Sequence, residues 1–214
     1  MRLMKNFLEI DREKIDAYIN YEHIKIDNEG IKKNIKGLLG IYIGVTIIIG
    51  VYGLLNIMII SFMILSSILL VFYTKKILLD ESQLIKNWAL YRGVFSIIIS
   101  LLLLAGSFST LYKLNLNKLI FIAMICIYLI SILYLIISKI KQIEKGYFHK
   151  KSQTIKNAGY FFAGLGILIS RYFIANLNDR DTLFAFTIIL YIMSLALLAG
   201  IHNVLKYLLI NRKT

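Results

Sequence analysis

Residues 37–73 read GLLGIYIGVTIIIGVYGLLNIMIISFMILSSILLVFY, a run of 37 residues without one Asp, Glu, Lys, Arg or His. As a single helix the run would be ~55 Å long, against a bilayer hydrocarbon core of ~30 Å. It therefore has to turn. Asn56, with Gly53 just before it, is the polar break near the midpoint. The pattern predicts a first span over 37–55 and a second over 57–73, joined by a tight turn.

Four more apolar runs follow, at 94–112, 119–138, 158–175 and 183–200. Each suits one crossing, and none alternates in polarity as a barrel strand would. Backbone polar groups inside lipid must be satisfied within the segment, which helices do. The expected fold class is an all-α membrane protein with six transmembrane helices as three helical hairpins. The expected domains are a cytoplasmic amphipathic segment 1–36, the six-helix domain 37–200 and an amphipathic tail 201–214.

Composition agrees. The chain has 214 residues, 58% of them hydrophobic, and a mean hydropathy of +0.73. A soluble domain of ordinary composition is about 45–50% apolar. The formal charge is +13. In a soluble protein this would suggest nucleic acid. Here the basic residues sit between the apolar runs, so the expected partner is a bilayer with an anionic cytoplasmic leaflet, and no nucleic acid.

Those basic residues also orient the chain. The ends and the alternate loops at 74–93 and 139–157 hold 21 Lys and Arg, and the opposite loops hold three: Lys113, Lys118 and Arg180. By the positive-inside rule the N and C termini are cytoplasmic. No cleavable signal peptide is visible in the charged opening MRLMKNFLEIDREK. Lys outnumbers Arg 19 to 6, and Ile and Asn are abundant. These are AT-rich codons, and the expected location is a bacterial plasma (inner) membrane, multi-pass.

Short amphipathic interfacial helices are expected on the cytoplasmic side. Met4, Phe7, Leu8, Ile15, Tyr18 and Ile19 form one stripe; Asp80 with Gln83 resembles a capping box opening a second. Trp88, Tyr91 and Arg92 read as interfacial anchors there. Ile201, Val204, Leu205, Leu208 and Leu209 make a third stripe, opposite His202, Asn203 and Lys206.

The spans contain no Asp, Glu, Lys or His, and the chain contains no proline, which counts against an ion-coupled carrier. Arg171 is the exception, and the candidate ligand or lipid contact. It reads either as an interfacial anchor snorkelling outward, paired with Asp179 or Asp181, or as a guanidinium facing a cavity. His23, His149 and His202 are far apart without metal-ligand spacing, and Cys126 reads as a packing residue. No nucleophile elbow, P-loop or dinucleotide fingerprint occurs. No metal, cofactor or catalytic set is expected.

Small residues carry more information. Gly37, Gly40 and Gly44 share one face of the first span. Gly159, Ala163, Gly166 and Ser170 share one of the fifth, and Ala196 and Gly200 lie on the sixth. Such faces let helices approach closely, within one bundle or in a homo-oligomer. The expected function is therefore non-catalytic: a polytopic protein acting through helix–helix contacts with a membrane or cytoplasmic protein partner, of immunity, sensing or accessory-subunit type. In layout the chain also resembles small ABC-2-type permeases, with six spans, cytoplasmic ends and an amphipathic segment before the first span. That resemblance implies a partner ATPase and a coupling helix within 74–93. It departs from the pattern at NLNDRDT, residues 176–182, too short for a re-entrant outer segment. A channel, with Ser96, Ser100 and Ser107 as its polar stripe, or a lipid-handling enzyme ranks lower.

Overall fold

The computed structural model describes residues 11–20, 28–51, 56–79, 84–149 and 179–213. Every regular element among them is helical. In chain order these are α1 (Arg12–Asn20), α2 (Asn28–Val51), α3 (Ile57–Leu79), α4 (Leu84–Lys113), α5 (Lys118–Glu144), a 3-10 turn (Tyr147–His149), α6 (Asp179–Leu197), a 3-10 turn (Leu198–Gly200) and α7 (Ile201–Lys213). The fifth expected span, 158–175, lies outside the described residues.

Local chemistry marks the ends. The Asn56 side chain accepts from the Ile59 N–H at 2.9 Å, so the polar break does cap α3. Asn117 does the same for α5, accepting from Leu119 N at 3.0 Å. Asn115, in the turn before it, has φ 54°, a conformation Asn tolerates better than most residues. Gly146, with φ 65°, closes α5 while its N–H reaches the Ile143 carbonyl at 2.9 Å.

Five helices among the described residues are long and apolar enough to cross a membrane. Their packing is that of a membrane protein. Ile64, Leu65, Ile68 and Phe72 on α3 and Ile127, Ile130, Leu133 and Tyr134 on α5 are exposed. A soluble monomer rarely leaves contiguous apolar surface of that extent.

The helices outrun the apolar stretches. α2 begins at Asn28 rather than 37, α3 runs to Leu79 rather than 73, and α5 to Glu144 rather than 138. Hydropathy changes at the lipid boundary, whereas i→i−4 hydrogen bonding continues wherever the sequence tolerates it. One expected separation vanishes for that reason. The stretch with Trp88, Tyr91 and Arg92 is the opening of α4, a continuous helix of 30 residues, rather than a separate interfacial helix. At the other end, the 3-10 turn Leu198–Gly200 separates α6 from α7, which begins at Ile201.

α4 is the hub. It touches α2, α3, α6 and α7, and its closest packing is with α6 and then α7. Ile49, Leu70, Ile77, Trp88, Tyr91, Phe95, Ile99, Leu102 and Leu190 form the main core around it. α5 meets α4 through long side chains, with the Phe108 and Phe121 rings 5.6 Å apart.

Candidate functional site

Two polar regions are built into this apolar scaffold. The first is a hydroxyl seam between α4, α5 and α6. Ser100 Oγ donates to the Ser194 carbonyl at 2.7 Å and lies 2.8 Å from the Tyr128 hydroxyl and 3.3 Å from Ser194 Oγ. Further along, the Thr187 hydroxyl donates to Thr110 Oγ1. Ser107 donates to the Leu104 carbonyl at 2.7 Å, and Tyr191 to the Met124 carbonyl at 2.8 Å. Ser100, Ser107, Thr110, Thr187 and Ser194 are all buried. A hydroxyl in hydrocarbon needs a partner, and here the partner is the neighbouring helix or the preceding turn. The expected pore stripe is thus packed and hydrogen-bonded at Ser100 and Ser107. Ser96 sits against Gly200.

The second region is the basic end. α1 lies across the ends of α5 and α7 with Ile15 and Tyr18 buried beside Ile140, Ile143, Phe148 and Leu209. Lys14 Nζ donates to the Glu144 carbonyl at 2.9 Å, and the Tyr18 hydroxyl to the His202 carbonyl at 2.9 Å. The Tyr18 and Phe148 rings meet edge to face at 4.8 Å, with Lys139 Nζ 5.6 Å from the Phe148 ring centre. Ile15 and Tyr18, two members of the expected amphipathic stripe, therefore pack on the protein itself. α7 turns a mixed face inward: Ile201, Leu205 and Leu209 are buried, but so are Asn203 and Lys206, while Leu208 is exposed.

The chain matches no protein-family model, no curated protein and no solved structure. Its residues therefore have to be read on their own geometry.

The expected anchors are close together but lie inward. Trp88 and Tyr91 are buried and stacked at 5.9 Å, and the Arg92 guanidinium sits 6.0 Å from the Trp88 ring centre. Of the small residues, Gly200 is a contact position: a Cβ there would collide with Ser96. Among the described residues, Gly37, Gly40 and Gly44 meet nothing within 4 Å of where a Cβ would stand, and Ala196 is exposed. Gly159, Ala163, Gly166, Ser170 and Arg171 lie outside the described residues. Cys126 faces outward from α5.

Sequence reasoning missed Tyr128, Ser194, Thr110 and Thr187. The Ser100–Ser194 pair is separated by 94 residues, and no spacing rule links positions on different helices. Gly93 was also missed as a contact, although a Cβ there would stand 2.9 Å from Val204 N. Its signal was available, since a glycine inside a helix invites a packing reason.

Proposed function

We propose that this is a non-catalytic, multi-pass protein of a bacterial plasma (inner) membrane, with six spans as three hairpins and both termini cytoplasmic. It acts through helix–helix contacts, as an immunity, sensing or accessory subunit. The observation that carries the reading is the open glycine face of α2. Gly37, Gly40 and Gly44 have no described atom near their Cβ positions, while Tyr42, on another side of the same helix, reaches Met63 O, Ser66 Oγ and Ser67 Oγ of α3 at 2.8–2.9 Å. α2 is thus held by one side, and the side that permits the closest backbone approach is left for another helix.

The test places Leu at Gly40 and Gly44 together, and separately a photo-crosslinker at Gly37. The expected result is a crosslink to a second chain, lost in the Gly40→Leu/Gly44→Leu variant without loss of folded protein. A crosslink that goes only to residues 158–175 of the same chain would sink the reading, because the face would then be internal packing.

The ABC-2-type alternative draws support from α1, an amphipathic helix seated at the basic end before the first span. It also needs a free coupling helix within 74–93. Lys75 and Lys76 end α3 as exposed residues, but Asn87, Trp88 and Tyr91 are buried in the bundle. The contact reading therefore stands first, and stable co-isolation with an ATP-binding-cassette subunit would reverse the order.

A further inference from the structure

Where α3 leaves its apolar run and α4 approaches its own, four buried hydrogen-bonding atoms lack a full set of partners among the described residues: the amide and indole nitrogens have none, and the two hydroxyls have at most each other. They are Thr74 Oγ1 on α3, and Asn87 Nδ2, Trp88 Nε1 and the Tyr91 hydroxyl on α4. Asn87, Trp88 and Tyr91 are each more than nine-tenths buried. Buried polar groups nearly always find a partner, because leaving one without it forfeits its solvation for nothing in return.

The four share one need. The amide and indole nitrogens can only donate, and both hydroxyls can donate. A single group rich in acceptor oxygens would satisfy them together. Asn87 and Tyr91 are one turn apart on the same side of α4. Trp88 stacks on Tyr91 at 5.9 Å, and the Thr74 and Tyr91 hydroxyls face each other across the contact between α3 and α4, where a bond between them uses one O–H and leaves the other to donate.

The charge on the two helices has one sign. Lys75 and Lys76 follow Thr74, Lys86 and Arg92 flank the α4 groups, and neither helix contains Asp or Glu. The depth also fits. The apolar run ends at Tyr73, one residue before Thr74, and the next begins at Val94, three residues after Tyr91. That is the level of the lipid headgroups. From there the exposed Phe72, Ile68, Leu65 and Ile64 of α3 run down into the hydrocarbon as a track for an acyl chain.

We propose that the adjoining ends of α3 and α4 bind the phosphate of an anionic phospholipid. Its oxygens accept from Asn87, Trp88 and the Tyr91–Thr74 hydroxyl pair inside a rim formed by Lys75, Lys76, Lys86 and Arg92. The site rests on the membrane reading above, with the basic end in a headgroup layer. Because the four atoms are covered, the headgroup enters by parting the two helix ends. Asp80 and Glu81, in the connecting segment outside the described residues, are the rival acceptors.

Trp88 is the only tryptophan, so its fluorescence reports this site alone. The full chain is placed in phosphatidylcholine nanodiscs carrying increasing fractions of phosphatidylglycerol. The expected result is a saturable change in Trp88 emission with a rise in melting temperature, neither seen with phosphatidylcholine alone. Asn87→Leu/Tyr91→Phe removes two donors and weakens apparent phosphatidylglycerol affinity about tenfold. The surface variant Lys75→Gln/Lys76→Gln, safe for folding, weakens it several-fold. Asp80→Asn/Glu81→Gln leaves the response in place.

Four outcomes overturn the proposal. These are equal behaviour in both lipids, a phosphatidylglycerol response that survives both donor and rim variants, its loss in Asp80→Asn/Glu81→Gln, or an equal response to inorganic phosphate in phosphatidylcholine nanodiscs. The last would make the ligand a soluble anion. Nanodiscs offer both leaflets, so a reversed orientation in cells would not remove the response, and the two readings fail separately.

Discussion

Gly93 and Gly200 are where the backbone of α4 meets the α6–α7 run. A Cβ at Gly93 would stand 2.5 Å from Val204 Cγ2 and 2.9 Å from Val204 N, and the second of these is backbone that cannot rotate away. Gly93→Ala should therefore destabilise the fold by about 1–3 kcal/mol, the usual cost of forcing a methyl group into a packed contact. At Gly200 the obstacle is the Ser96 side chain, which can be deleted. Gly200→Ala should lower the melting temperature in detergent, and Ser96→Gly in the same chain should recover part of the loss. Gly37→Ala meets no described atom and should be neutral or slightly stabilising through helix propensity. A Gly37→Ala variant that melts as early as Gly93→Ala would show that a neighbour does occupy the first glycine face. As members of small-residue faces in the sequence, Gly37 and Gly200 look equivalent. What separates them is the partner helix opposite, and a sequence read one helix at a time carries no information on that.

The hydroxyl seam and the α1 clasp belong to the scale of helices held together. Ser100 couples three of them, since its Oγ engages Tyr128 of α5 and both Ser194 groups of α6. Ser100→Ala and Tyr128→Phe should each cost about 0.6 kcal/mol, at most about 1.7, as interhelical hydrogen bonds in membranes do. The double variant should cost less than the sum, because both remove the same bond; strict additivity in chemical or thermal unfolding would mean that the two hydroxyls act separately. α1 is held differently, by Ile15 and Tyr18 in a small apolar cluster and by Lys14 and Tyr18 on two carbonyls. Ile15→Asp should release it. With about 2 kcal/mol or more of burial lost, tryptic cleavage after Arg12 and Lys14 should speed up by roughly tenfold or more while the spans stay protected. Unchanged cleavage would mean that α1 is already detached in solution. The helical class, the Asn56 cap and the Ile15–Tyr18 stripe were legible in the sequence because each is written within one turn or one span. The fusion of 84–92 with α4 was not. Hydropathy falls before Val94 because the surroundings change there, while the helix itself continues.

For the whole molecule the strongest test is of sidedness, and the packing makes it sharper than charge counting alone. Thr110 near the end of α4 bonds Thr187 midway along α6, and Ser100, earlier in α4, bonds Ser194, later in α6; the two helices therefore run antiparallel, and Lys113 and Arg180 belong to the same end of the bundle. Lys86 at the start of α4 lies against Tyr207 of α7, and α1 ties α7 to the end of α5, so Lys145 belongs to the opposite end. Cysteines at 113 and 180 must therefore label alike, and one at 145 must label oppositely, whichever way the chain is inserted. The sign is expected from the charge: with six spans, 21 Lys and Arg would share the side of Lys145 and three would lie on the other. By the positive-inside rule, the proposed topology would put Lys145 in the cytoplasm. In a Cys126→Ala background, an impermeant maleimide on intact cells should modify Lys113→Cys and Arg180→Cys but reach Lys145→Cys only after permeabilisation. All three reversed would keep the packing and refute the orientation. Different sides for 113 and 180 would refute the packing itself, because no insertion of this bundle can put the adjoining ends of antiparallel α4 and α6 on opposite faces of a bilayer.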